Sequence, residues 1–139
     1  DYVVGPTEKR FTSDDNLFQI QTKVIEELAK TKSCIIIGKC ADHILRQRDN
    51  VVSVYIEAPR KDCVESIKDL LGVTDEEANE MIQKTDRYRS DYYKYYTHGE
   101  NWTNPVNYDM TLNSARIGRN RCVELIIEYL KLKFEPDIL

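Results

Sequence analysis

Two short apolar runs limit the folds open to this chain. Residues 33–38 read SCIIIG and residues 51–56 read VVSVYI. Both are rich in β-branched side chains, and both read as strands buried on two faces, which is the habit of parallel sheets. Between them lie residues 39–50, about the minimum length for a right-handed crossover joining two parallel strands. A third strand is expected at residues 108–112 (YDMTL).

Helical patterns fill the intervals. Residues 16–30 place Leu17, Ile20, Val24, Ile25 and Leu28 on one face, with Ser13, Asp14 or Asp15 as the cap. Residues 41–48 read as a short helix. Pro59 opens another that runs to about Leu71, with Gly72 as its stop. Thr74 and Glu77 form a capping box for a long helix continuing through KTDRYRSDYYKYYT. A polar loop with Trp102 and Pro105 precedes the third strand. Asn113 or Ser114 then caps a final helix to about Phe134. Strands alternating with helices give an α/β fold with a parallel sheet, and 139 residues suit one domain, 1–139.

Ligands of such sheets bind beyond the carboxyl ends of the strands, which puts Lys39, Asp42 and Asn113 on the functional edge. The pair Gly38-Lys39 after an apolar run invites comparison with a phosphate-binding loop. That loop needs G-x-x-x-x-G-K-[ST], so that backbone N–H groups can curl around a phosphate. Here Ser33 stands where the first glycine belongs, and Cys40 stands where Ser or Thr would meet Mg²⁺. Gly5, Gly72, Gly99 and Gly118 lack the pattern too.

Composition narrows the partners. A formal net charge of −4 argues against binding a nucleic acid polymer. No apolar run approaches the ~20 residues that span a bilayer, so no membrane is expected. Cys34, Cys40, Cys63 and Cys122 form no C-x-x-C, and His43 and His98 are far apart in sequence, which argues against zinc. A reducing cytoplasm is the expected compartment. The opening DYVVGPTEKRFTSDDN reads as loop, and a start in mid-protein is expected.

Three constellations could carry chemistry. In Gly38-Lys39-Cys40-Ala41-Asp42 a cation and a carboxylate three residues apart could reach one anionic ligand; on pattern alone a turn with two solvated side chains, or a local ion pair worth little, is the preferred reading. In Lys84, Asp86, Arg87, Arg89, Asp91 and Lys94, helical spacing puts Lys84, Arg87 and Asp91 on one face and Asp86 and Arg89 on another. Arginine forks suit phosphate, and a helical arm bearing them can clamp a transferring phosphoryl group. The plainer reading is a solvated helix with local ion pairs. Tyr88, Tyr92, Tyr93, Tyr95, Tyr96, Trp102 and Tyr108 could stack a base, but packing is the preferred reading. Neither histidine has a recognisable catalytic partner.

Taken in order, GKCADHIL, then NVVSVYIEAP, then Asp86-x-x-Arg89 with Tyr92-Tyr93, then Trp102-x(5)-Tyr108-Asp109 and the final helix resemble the cytidylate-kinase-like family of bacterial P-loop kinases. The resemblance covers residues 17–132. It implies a P-loop-kinase-like three-layer fold with a helical lid at about 74–105. It implies phosphoryl transfer from ATP, with Mg²⁺, to CMP or a related pyrimidine nucleotide. Lys39 falls where the family usually places an arginine that binds the nucleoside monophosphate, and lysine lacks the bidentate fork. Asp42 falls on the nucleoside side of that pocket. Lys84, Arg87 and Arg89 become lid residues reaching ATP and the transferring phosphoryl, with Asp86 orienting one arginine.

The family's phosphate-binding loop lies on a first, central strand that has no counterpart in these residues. In a family-like sheet order of 2-3-1-4-5, its absence leaves the strands at 33–38 and 51–56 roughly 9–10 Å apart, two strand spacings, with unpaired inner edges. These residues are therefore expected to be the C-terminal part of a longer polypeptide, inactive alone. Otherwise the two strands re-pair, or another chain supplies the missing one. Two rival readings stand beside the kinase: a nucleotide sensor or pseudokinase that binds without turnover, and a structural module in which the tyrosine-rich helix mediates homo-oligomer formation.

Overall fold

The computed structural model describes residues 13–135. They fall into two compact units, divided between Val51 and Val52.

The first unit is built on helix α1 (Asp14–Thr31). Of the three candidate caps, Ser13 does the work, its Oγ accepting the Asn16 amide at 3.3 Å. Ile25 and Ala29 of α1 pack with Ala41 and Leu45, and Ile36, Ile44 and Val51 close around them. Helix α2 is shorter than expected, spanning only Ala41–Ile44 before a turn.

The expected strand at 33–38 does not form. These residues belong to no sheet among the described residues. Nor are they buried on both faces: Ile36 packs on the core, while Ile35 is 93% and Ile37 87% exposed. β-branched apolar content alone does not make a strand, which exists only where a neighbour completes its ladder.

The second unit carries the sheet. Strands β1 (Val54–Glu57) and β2 (Met110–Asn113) pair in parallel, with Val54 opposite Met110 and Glu57 opposite Asn113. The parallel pairing expected from the sequence is present, but β1 starts three residues later than anticipated and Ile56 is half-exposed. β2 likewise begins at Met110, because the residue before it is engaged elsewhere. Asp109 donates its amide to Ser53 O (2.9 Å) and to Ser53 Oγ (3.1 Å). Its Oδ2 in turn accepts the Ser53 amide (2.7 Å) and hydroxyl (3.1 Å). At the far end of the ladder Ser114 Oγ donates to Glu57 O at 3.2 Å.

Helices α3 (Arg60–Leu71) and α4 (Asp75–Tyr96) connect the two strands. Gly72 ends α3 in the left-handed region (φ 66°), where a Cβ would be strained. The Thr74–Glu77 capping box then starts α4 as anticipated. The final helix is broken at Gly118 (φ 87°, ψ 152°) into α5 (Ser114–Ile117), capped by Asn113, and α6 (Arg119–Phe134). That backbone conformation is open to glycine and closed to most residues, so one continuous helix was not available.

Helix α6 reaches back to the start of the ladder. Tyr129 OH donates to Asp109 Oδ1 at 3.1 Å, and Lys133 Nζ lies 3.8 Å from the same oxygen. Partial desolvation pushes the Asp109 carboxyl up, but the Ser53 amide, the Tyr129 hydroxyl, the Lys133 charge and the Ser53 hydroxyl outweigh it and hold the group below its ordinary value. A depressed carboxylate contributes its stability above the ordinary range of about pH 4 and loses it as pH falls through the lower folded value. Asp109→Asn should therefore lower stability at neutral pH, by about 1 kcal/mol once solvent screening at this exposed carboxylate is allowed for, and flatten the acid limb of the melting curve. Thermal unfolding followed across the acid range checks this, and an unchanged acid limb in the variant would remove Asp109 from the account.

Candidate functional site

The sequence-predicted residues lie in two groups, one in each unit. Lys39 and Asp42 belong to the first unit; Lys84, Asp86, Arg87 and Arg89 belong to the second.

In the first group the chain leaves the extended segment through three consecutive left-handed residues: Gly38 (φ 68°), Lys39 (φ 60°) and Cys40 (φ 56°). Glycine adopts this conformation at no steric cost, whereas each non-glycine residue costs on the order of 1 kcal/mol or more. The turn is held by the Ala41 amide on Gly38 O (3.1 Å) and by Gln21 Nε2 of α1 on Lys39 O (3.2 Å). Lys39 is thereby presented at the surface, and Asp42 sits in the first turn of α2. Cys40 between them is buried. Burial first, and the Asp42 charge second, push its thiol up to about 12, so it is an inert space-filler at neutral pH.

The second group is a cationic arm on α4. Lys84 and Arg87 are exposed and enter no ion pair among the described residues. Asp86 and Arg89, expected to share a face, meet at 3.8 Å between Oδ1 and Nη1. The Arg89 guanidinium also lies over the Trp102 ring, 5.9 Å from its centroid, within range of a cation–π attraction. Trp102 meets Tyr55 of β1 edge-on (centroids 5.4 Å apart), and Tyr55 stacks on Tyr108 at 5.3 Å. Tyr108 OH donates to Trp102 O and closes the loop. Burial, then the Glu57 and Asp86 charges, raise the Tyr55 hydroxyl above its ordinary value against the pull of Arg89. It is a neutral packing residue.

The tyrosines of α4 mostly pack on one another. Tyr92 meets Tyr96 at 4.8 Å, Tyr95 meets Tyr96 at 4.9 Å, and Tyr93 is buried. Tyr88, 6.1 Å from Tyr92, remains mostly exposed.

Sequence reading missed Arg60, the first residue of α3. Its Nε donates to Asn79 Oδ1 (3.0 Å), its Nη2 donates to Asn79 O (3.2 Å), and its Nη1 lies 3.8 Å from Asp86 Oδ2. A signal existed. The connection between α3 and α4 is short, which makes them antiparallel neighbours. Arg60 lies eleven residues before the end of α3 and Asp86 eleven after the start of α4, so the hairpin brings them opposite. The same folding-back pairs Lys68 with Asp75 at 2.6 Å.

Among the described residues no three His, Cys, Asp or Glu side chains gather as a metal site. No described helix is long and apolar enough to cross a membrane.

Comparison with known proteins places these features. No curated protein matches the chain. Among solved structures it resembles the crystal structure of an uncharacterized protein from Eubacterium ventriosum, with a TM-score of 0.80 at 24% sequence identity, over 86% of this chain and 74% of that one. That likeness is one of fold. The model of the cytidylate kinase-like family matches residues 2–116, which take in the strained turn, the β1–β2 pair and the whole α4 arm. The chain belongs to the cytidylate kinase-like family.

Proposed function

We propose that the intact protein transfers a phosphoryl group from ATP to CMP or a related pyrimidine nucleotide. The observation that carries this reading is the α4 arm, where Lys84 and Arg87 stand exposed on the helix while Arg89 is held by Asp86 and Trp102. Membership of the cytidylate kinase-like family supports a kinase-like, nucleotide-binding role. In this reading Lys84, Arg87 and Arg89 neutralise charge on the transferring group, which phosphoryl transfer requires more than covalent help. Lys39 contacts the monophosphate and Asp42 the nucleoside. The β- and γ-phosphates and Mg²⁺ need a glycine loop, which these 139 residues do not contain.

A second reading, nucleotide binding without turnover, is favoured by one observation. Lys39 stands where the resemblance implies arginine, and an ammonium cannot grip phosphate with two parallel hydrogen bonds. Steady-state assays of the intact protein with ATP and CMP, paired with calorimetric CMP binding, separate the readings. The kinase reading expects Arg87→Ala to cut kcat by about 100-fold or more. Binding that survives with no turnover in the unmutated protein favours the sensor. Neither binding nor turnover leaves a structural module.

The strained turn allows a test that separates function from stability. Lys39→Gly relieves the left-handed strain but adds freedom to the unfolded chain, and both effects are about 1 kcal/mol. Its melting temperature should stay near that of the parent, while CMP affinity falls by roughly tenfold or more through loss of a charged contact. Unchanged affinity in this variant would remove Lys39 from the monophosphate site.

A further inference from the structure

Arg60 lies outside every residue set considered above for nucleotide chemistry. Its guanidinium uses all three nitrogens on one helix. Nε and Nη2 grip Asn79 through the side-chain and main-chain oxygens, and Nη1 faces Asp86. Asn79 and Asp86 are seven residues apart on α4, two turns along one face. The grip on Asn79 fixes the plane of the fork, and the fixed fork aims Nη1 at the carboxylate.

Asp86 is then held between two arginines. Oδ2 faces Arg60 and Oδ1 faces Arg89, each at 3.8 Å. At that separation these are ion pairs, not hydrogen bonds, and alone each is weak at a half-exposed site. What matters is order. The Asn79 bonds immobilise Arg60, Arg60 restrains Asp86, and Asp86 restrains Arg89 against the face of Trp102.

We propose that Arg60 is a positioning residue for the cationic arm, setting Arg89 over Trp102 through Asp86 so that Arg89 meets a polyphosphate already oriented. This rests on the reading of α4 as a phosphate-facing arm. Arg60 does not itself touch the phosphate. Lysine cannot replace it, because one ammonium cannot hold Asn79 and reach Asp86 together.

Trp102 is the sole tryptophan of the chain, so its fluorescence reports on this cluster directly. The test compares the parent, Arg60→Ala, Arg60→Lys, Arg89→Ala and the double Arg60→Ala/Arg89→Ala variant. Two quantities are read: acrylamide quenching of Trp102, and affinity for inorganic tripolyphosphate. Asp86→Asn serves as an isosteric second probe should Arg60→Ala fold poorly.

The expected result has three parts. Arg60→Ala, Arg60→Lys and Asp86→Asn each raise quenching towards the Arg89→Ala level. Arg60→Ala weakens tripolyphosphate by roughly 3- to 10-fold, the scale of one lost surface restraint. In the Arg89→Ala background it adds less than about twofold, because its effect passes through Arg89. Quenching unchanged in Arg60→Ala overturns the proposal, as does quenching unchanged in Arg89→Ala. Fully additive affinity losses overturn it as well, since Arg60 would then bind the anion itself. If quenching follows the expected pattern but Arg89→Ala leaves tripolyphosphate affinity intact, the phosphate-facing reading of α4 is what fails. The positioning role towards phosphate falls with it, and only the packing link from Arg60 to Trp102 stands.

Discussion

The clasp between Ser53 and Asp109 is the interaction on which the second unit depends. A parallel ladder of four residues on each side gives little purchase against slippage. A slip by one residue would turn every side chain of β1 to the opposite face. The clasp prevents this by spending both backbone and side-chain groups of two residues on each other, immediately before the ladder begins. Because the register is fixed, Tyr55 points to the face where Trp102 and Tyr108 wait for it. Because Trp102 is fixed, Arg89 has a ring to lie against. Tyr129 and Lys133 extend the same carboxylate's reach to α6.

The hairpin of α3 and α4 supplies the second constraint. Its turn is short and doubly specified, by a left-handed glycine at one end and a capping box at the other. A turn that rigid sets which residues of the two helices face one another along their whole length. Ion pairs at both ends, Lys68 with Asp75 and Arg60 with Asp86, follow from it. Lys84 and Arg87 are exposed and take no part in this pairing among the described residues.

Local signals in the sequence were legible and non-local ones were not. The Thr74–Glu77 box, the stop at Gly72 and the cap at Asn113 could be read because each depends on residues within one turn of chain. The parallel character of the sheet formed near 54 and 110 could be read because strands alternating with helices imply it; the crossover length of residues 39–50 concerned the strand at 33–38, which does not form. The Ser53–Asp109 clasp joins residues 56 apart and has no pattern in either segment. Asp86 and Arg89 were placed together by helical spacing, while Arg60 needed the hairpin to be folded first. The strand expected at 33–38 failed for a different reason. Composition does not say whether a neighbour is there to pair with.

That segment has a consequence for handling the chain. Residues 34–37 are uncharged and apolar, contain no proline, and present Ile35 and Ile37 almost fully to water. An extended, β-branched stretch outside any sheet is a template for any other extended strand it meets, including its own copies. The 139-residue chain is therefore a poor candidate for concentration.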